Sequence, residues 1–106
     1  MEIAFNTQSL RSMCENENVM NQKLGRVAAQ AFQVCLADLR AASKIADVTV
    51  NYAAEIVSES DIELAPTEGL RVRLRANDLR AKKPKAGPVD WTTVSRLKIM
   101  EIAHRG

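Results

Sequence analysis

The sequence predicts a single α+β domain over residues 1–106, with an N-terminal strand, a helical hairpin and then a mostly antiparallel sheet. Apolar residues recur at spacings of three and four between Leu24 and Leu39, the period of an amphipathic helix. From Val48 onward the chain changes to short runs rich in β-branched residues: "VTVNY", "AEIVS", "IELAP", "LRVRLRA" and "VSRLKIMEIA". Runs of that composition favour strands. A strand, two helices and then several strands is the order of a domain whose helices cover one face of a sheet.

The opening "MEIAF" alternates weakly and stops at Asn6, a residue type favoured as a helix N-cap. With Asn6 as the cap, Phe5 precedes it and Leu10 is the fourth helical residue, the pairing of a hydrophobic staple. A short helix is expected over about residues 7–16, interrupted by Asn16–Asn18. The next helix is expected from about Val19 to Ala42, with Leu24, Val27, Ala28, Ala31, Phe32, Cys35 and Leu39 on its apolar face. Lys23, Arg26, Gln30, Gln33 and Arg40 form its wet face. Gly25 interrupts the pattern at a cost of up to about 1 kcal/mol relative to alanine, with close packing or a frayed first turn as the available reasons. Pro66 and Gly69 punctuate one turn, and "AKKPKAGP" forms a longer loop before the last strand.

A chain of 106 residues with 46% hydrophobic and 26% charged residues is ordinary for one globular core and unlike a disordered or fibrous chain. Met1–Leu10 carries Glu2 and no basic segment leading into an apolar run, so it does not read as a secretory signal and a cytoplasmic location is expected. The longest uncharged helical run, Val27–Ala37, is too short to span a bilayer. Cys14 and Cys35 occupy apolar helix positions with no histidine or second cysteine nearby, which favours buried reduced thiols over metal or disulfide chemistry.

The net charge of +2 conceals a segregated distribution. Ile45–Glu68 holds six acids (Asp47, Glu55, Glu59, Asp61, Glu63, Glu68) and no cation, whereas Gly69–Gly87 holds seven of the fifteen Lys and Arg residues and one acid, Asp78. Such asymmetry suggests a polarised surface. Within Leu70–Ala76, Leu70, Val72, Leu74 and Ala76 share one strand face and Arg71, Arg73 and Arg75 the other, because strand side chains alternate. Three guanidiniums roughly 6.6 Å apart repel one another unless an anion lies across them, and the arginine fork matches phosphate oxygens in pairs.

An acidic protein partner also fits the same row, as do two readings without a ligand. Alternating arginines keep an exposed strand wet and protect it against aggregation. Alternatively, Glu55, Glu59, Asp61 and Glu63 on adjacent strands neutralise them across the sheet. His104, the sole histidine, stands just beyond the last expected strand and is the one side chain whose ordinary pKa suits proton transfer near neutrality; a lone terminal histidine is usually inert. Trp91 could stack on a base, but one tryptophan before a strand is more often core. No glycine-rich phosphate loop, Ser/His/Asp set or metal-ligand spacing occurs.

The strand "MEIAF", the helix "KLGRVAAQAFQVCLADLRAA", the strand "GLRVRLRAND" and the ending "GPVDWTTVSRLKIMEIAH" together resemble the RelE/ParE toxin superfamily, in its HigB-like branch. The likeness lies over Met1–Ala42 and Gly69–His104. It implies a toxin of a type II toxin–antitoxin pair, a ribosome-dependent mRNA endoribonuclease acting by metal-independent 2′-hydroxyl attack and using no cofactor. The implied partners are mRNA, the ribosome and a cognate antitoxin, with no membrane. Arg71 falls where the family's strand carries its arginine, and His104 falls close to its terminal tyrosine and histidine positions, so these two are the implied catalytic residues. Arg73, Arg75, Arg80, Lys82, Lys83 and Lys85 are the expected RNA-binding set. The acidic "AAEIVSESDIELAPTEG" and the ending "EIAHRG" depart from the family pattern. The alternative they raise is a non-catalytic relative: a protein-targeting poison or an antitoxin-binding domain.

Overall fold

The computed structural model describes residues 1–77, 91 and 94–105. The elements follow in the order β1 (Glu2–Phe5), α1 (Gln8–Glu15), α2 (Glu17–Leu24), α3 (Arg26–Ala41), α4 (Ala46–Thr49), β2 (Glu55–Ile56), β3 (Asp61–Leu64), β4 (Leu70–Ala76) and β5 (Arg96–His104). This is the expected α+β architecture. The strands form one sheet ordered β1-β5-β4-β3-β2. Strand β1 runs parallel to β5, and every other neighbouring pair is antiparallel. The expected loop "AKKPKAGP" lies outside the described residues.

Two local corrections concern the first helix, while the expected break falls at Asn16. Thr7, not Asn6, caps α1, its Oγ1 accepting the Leu10 N–H at 3.1 Å. The Asn6 N–H instead donates to the Ile99 carbonyl at 2.9 Å and extends the β1–β5 pairing, so Leu10 is the third helical residue and falls out of staple register with Phe5. Asn16 ends α1 and caps α2, its Oδ1 accepting from the N–H groups of Asn18 and Val19 at 3.0 and 3.2 Å.

The long second helix is two helices. Gly25 sits at φ 79°, ψ 161°, a conformation essentially reserved for glycine. Its N–H closes α2 on the Asn21 carbonyl, and its own carbonyl accepts the Ala29 N–H that opens α3, both at 2.9 Å. The break resets the helical phase. Leu24 and Ala28 remain buried, while Val27, expected on the apolar face, is 76% exposed.

Residues 48–52, expected as a strand, instead begin within the helical turn α4. Ile45, Val48 and Tyr52 are all buried, and their three- and four-residue spacing is the helical period. The Tyr52 hydroxyl donates to Asp38 Oδ2 on α3, and the Tyr52 carbonyl accepts the Ala65 N–H at 3.0 Å. Tertiary anchoring overrides the strand preference of Val48, Thr49 and Val50. At this same C-terminal end of α3, the Met1 α-amino group donates to the carbonyls of Leu39, Arg40 and Ala42 at 3.2, 2.9 and 2.7 Å, a favourable place for a cation.

The inner sheet face contributes Ile62, Leu64, Leu70, Val72, Leu74, Leu97 and Ile99 to a core shared with Phe32, Cys35 and Leu39 of α3. Trp91 packs against this core, half-buried. In the β4–β5 register, Leu74 faces Ile99 while Arg73 faces Glu101, so Met100 is the extra residue of a bulge. One inserted residue reverses the alternation beyond it. Ile102 therefore points inward opposite Val72, and Glu101 lies outward opposite Arg73.

Candidate anion-binding site at the end of the sheet

Alternation along β4 puts Leu70, Val72 and Leu74 fully in the core and Arg71, Arg73 and Arg75 on the outer face. The guanidiniums do not stand free there. Asp61, opposite Arg75 in the β3–β4 register, is held by the tight β2–β3 turn, where Ser58 Oγ accepts its N–H at 3.1 Å. Arg75 meets it at two points, Nε to Oδ1 at 2.7 Å and Nη2 to Oδ2 at 3.2 Å. Arg73 Nε lies 3.8 Å from the same carboxylate, and its Nε atom is buried with no hydrogen-bond partner among the described residues.

Arg71 is the least constrained of the three. Its Nε lies 3.7 Å from Glu63 Oε1, and half of its side chain is exposed; Nη1 donates to the carbonyl of Leu70 at 3.1 Å. The expectation of an open row of arginines is thus corrected in favour of cross-strand pairing. Over the described outer face the register sets Arg73 between Glu63 and Glu101, Arg75 between Asp61 and Lys98, and Arg96 opposite Glu2, with Arg96 and Glu2 at 3.1 Å; Glu55 faces Glu63 on the far side. Arg71, Arg73, Arg75, Arg96 and Lys98 are matched in number by Glu2, Glu55, Asp61, Glu63 and Glu101 on these described strands, so the middle of the sheet carries little net charge.

The balance changes at the end of the sheet. His104 is the last residue of β5, not a residue beyond it, and pairs in register with Leu70. It is exposed, as is Arg105. A concavity of about 750 Å³ is lined by Glu68, Gly69, Arg71, Ala103, His104 and Arg105. The two principal sequence candidates both border this space, from opposite faces of the sheet: His104 is paired with the core residue Leu70, and Arg71 with Ala103 on the outer face. Gly69 makes this possible: at φ +78° it brings the β3–β4 turn onto the end of β5, its carbonyl accepting the Arg105 N–H at 2.8 Å. A Cβ at this position would meet the Arg105 carbonyl oxygen at 2.9 Å.

Such a wall offers a planar donor fork from Arg71, an imidazole able to accept or give a proton, a further guanidinium from Arg105 and one acid, Glu68. Arg105 and Glu68 were not singled out as site residues in the sequence. Their signal is positional: Arg105 adjoins the candidate His104, and Glu68 adjoins Gly69, read from the sequence as a turn residue. Arg80, Lys82, Lys83 and Lys85 lie outside the described residues. Burial holds both thiols protonated, Cys14 pushed up to about 11 and Cys35 to about 12, and neither is in a disulfide. No group of three or more His, Cys, Asp and Glu side chains able to hold a metal ion occurs among the described residues. None of the helices is long and apolar enough to cross a membrane, again among the described residues.

A scan of protein-family models, a search of curated proteins and a search of solved structures each gave no match to this chain.

Proposed function

We propose that the chain is an RNA-cleaving toxin-type domain that acts on mRNA at the ribosome, in the cytoplasm, by metal-independent attack of a ribose 2′-hydroxyl on the adjacent phosphate. The observation that carries this reading is the placement of Arg71 and His104 on one concavity. In the reaction the 2′-oxygen bonds to phosphorus, the bond to the 5′-oxygen breaks, and a 2′,3′-cyclic phosphate and a free 5′-hydroxyl result. Arg71 stabilises the charge that gathers on the phosphoryl oxygens. His104, in its neutral form, takes the 2′-hydroxyl proton and returns it to the departing 5′-oxygen. Arg105 adds positive potential beside it. An acidic segment of an antitoxin partner would cover the same cations.

The test is mRNA cleavage during translation, mapped in cells expressing the chain or its variants. Arg71→Ala and His104→Ala are expected to abolish both cuts and growth arrest; cuts that persist in both variants overturn the reading. A second reading, a non-catalytic poison or partner-binding domain, is favoured by one observation: Asp61 already occupies Arg75 and lies beside Arg73. Growth arrest by the unaltered chain without any cut in mRNA would select it.

A further inference from the structure

We propose that a second phosphate-binding groove adjoins the concavity of Arg71 and His104, on the helical side of β5, and holds the continuation of the same single-stranded RNA. The proposal rests on the reading that the concavity takes an RNA phosphate. The groove, of about 530 Å³, runs between the α2–α3 junction and the end of the sheet, and shares Glu68, His104 and Arg105 with the concavity. A strand crossing the end of β5 would pass from one into the other over His104.

Charge distinguishes this region from the rest of the sheet. Lys23, Arg26 and Arg105 border the groove, and none of their side chains makes an ion pair or hydrogen bond among the described residues. Among the described residues the two spaces together gather four cations, Lys23, Arg26, Arg71 and Arg105, against the single acid Glu68. Like charges crowded within a Debye length repel unless an anion lies among them. Arg26 also borders a smaller recess with Glu17.

The backbone leaves room for a ligand. Gly25 presents no side chain, and a Cβ there would meet nothing within 4 Å. The floor is aliphatic, from Leu24, Val27 and Ala28, and no aromatic residue among the described residues lines the groove. Without a stacking surface the groove holds phosphates rather than reading bases. An acidic peptide is the competing occupant; continuity with the concavity through His104 and Arg105 favours the RNA strand.

The experiment measures binding of a fluorescent, fully 2′-O-methylated and hence uncleavable oligoribonucleotide of about ten nucleotides across a salt series. The double variant Lys23→Ala/Arg26→Ala is expected to bind about tenfold more weakly at low salt, with the log–log salt slope reduced by about 1.4. Lys44→Ala, beyond the other end of α3, leaves affinity and slope unchanged. Affinity and slope unaltered in the double variant overturn the proposal, as does loss of polyglutamate binding with oligonucleotide binding intact. Groove-dependent binding with no cleavage would retain the groove and reject the nuclease; cleavage with groove-independent binding would do the reverse.

Discussion

Arg75 and Asp61 meet across β3 and β4 in a two-point contact, with the aspartate side chain 4% exposed and the arginine side chain 46% exposed. The two partners are therefore unequal. Removing Asp61 leaves a guanidinium that water can reach, whereas removing Arg75 leaves a buried carboxylate with only the 3.8 Å contact to Arg73. Arg75→Met is expected to destabilise the fold by about 2–3 kcal/mol and Asp61→Asn by about 1 kcal/mol. Urea denaturation of the two variants checks the order, and the reverse order would reject this account of the pair.

The same geometry grades the arginines in any reaction at the sheet end. Arg71 borders the concavity and is half exposed, while Arg75 is tied to Asp61. Arg71→Ala is expected to slow RNA cleavage by about 100-fold or more, and Arg73→Ala by less than about tenfold, since Arg73 sits away from the concavity beside Asp61. Single-turnover rates on a defined RNA separate the two, and equal losses would mean that the whole row acts together.

Two glycines make different demands. Gly25→Ala forces a side chain into a positive-φ conformation with open space around it, so the cost is backbone strain alone, about 1–3 kcal/mol. Gly69→Ala adds a contact of 2.9 Å with the Arg105 carbonyl, so it should destabilise further and displace the residue that follows His104. Comparing denaturation midpoints with oligonucleotide affinity tests this: Gly69→Ala should lower both, Gly25→Ala chiefly the midpoint.

Alkaline pH should weaken the fold ahead of any effect on the surface. Burial pushes the Cys14 and Cys35 thiols from an ordinary value of 9.0 up to about 11 and about 12. Burial, with help from the hydrogen bond to Asp38, also raises the Tyr52 phenol. The folded chain holds these protons more tightly than the unfolded chain, so their contribution is complete below about pH 9 and is lost as pH rises toward about 12. Denaturation midpoints should be flat from about pH 7 to about pH 8.5 and then fall. A midpoint unchanged at about pH 10.5 would reject the assignment.

Tyr52→Phe removes the hydroxyl that ties the α4 turn to α3. The expected loss is about 1 kcal/mol, or a fall in Tm of about 4–8 °C for a domain of this size. A variant that melts with the unaltered chain would show that the buried ring alone anchors the turn.

Strands β4 and β5 were legible because their alternation is strong, and the break at Asn16 because asparagine both ends and caps helices. The helix interruption at Gly25 was visible only as a cost: a continuous three-and-four pattern hides a phase reset when the residues on either side, Leu24 and Ala28, keep their burial. The α4 turn was misread for a related reason. The β-branched "VTV" outweighed the helical spacing of Ile45, Val48 and Tyr52. At the candidate site, the face shared by Arg71, Arg73 and Arg75 followed from period two alone. Their partners did not, since the register that sets Asp61 opposite Arg75 depends on a turn held by the Ser58 hydroxyl. The nearness of Arg71 and His104 needed the β4–β5 pairing itself, which no local pattern encodes.

The parallel pairing of β1 with β5 has a consequence for folding. Glu2 faces Arg96, so β1 gains its neighbour only after the intervening residues up to β5 have been made. Strand β5 also separates β1 from β4, which leaves the sheet without one of its three interior strands until then. Closure of so long a loop places assembly among the slower, non-local routes, and a nascent chain halted before Arg96 would expose an unpaired β4 edge open to aggregation.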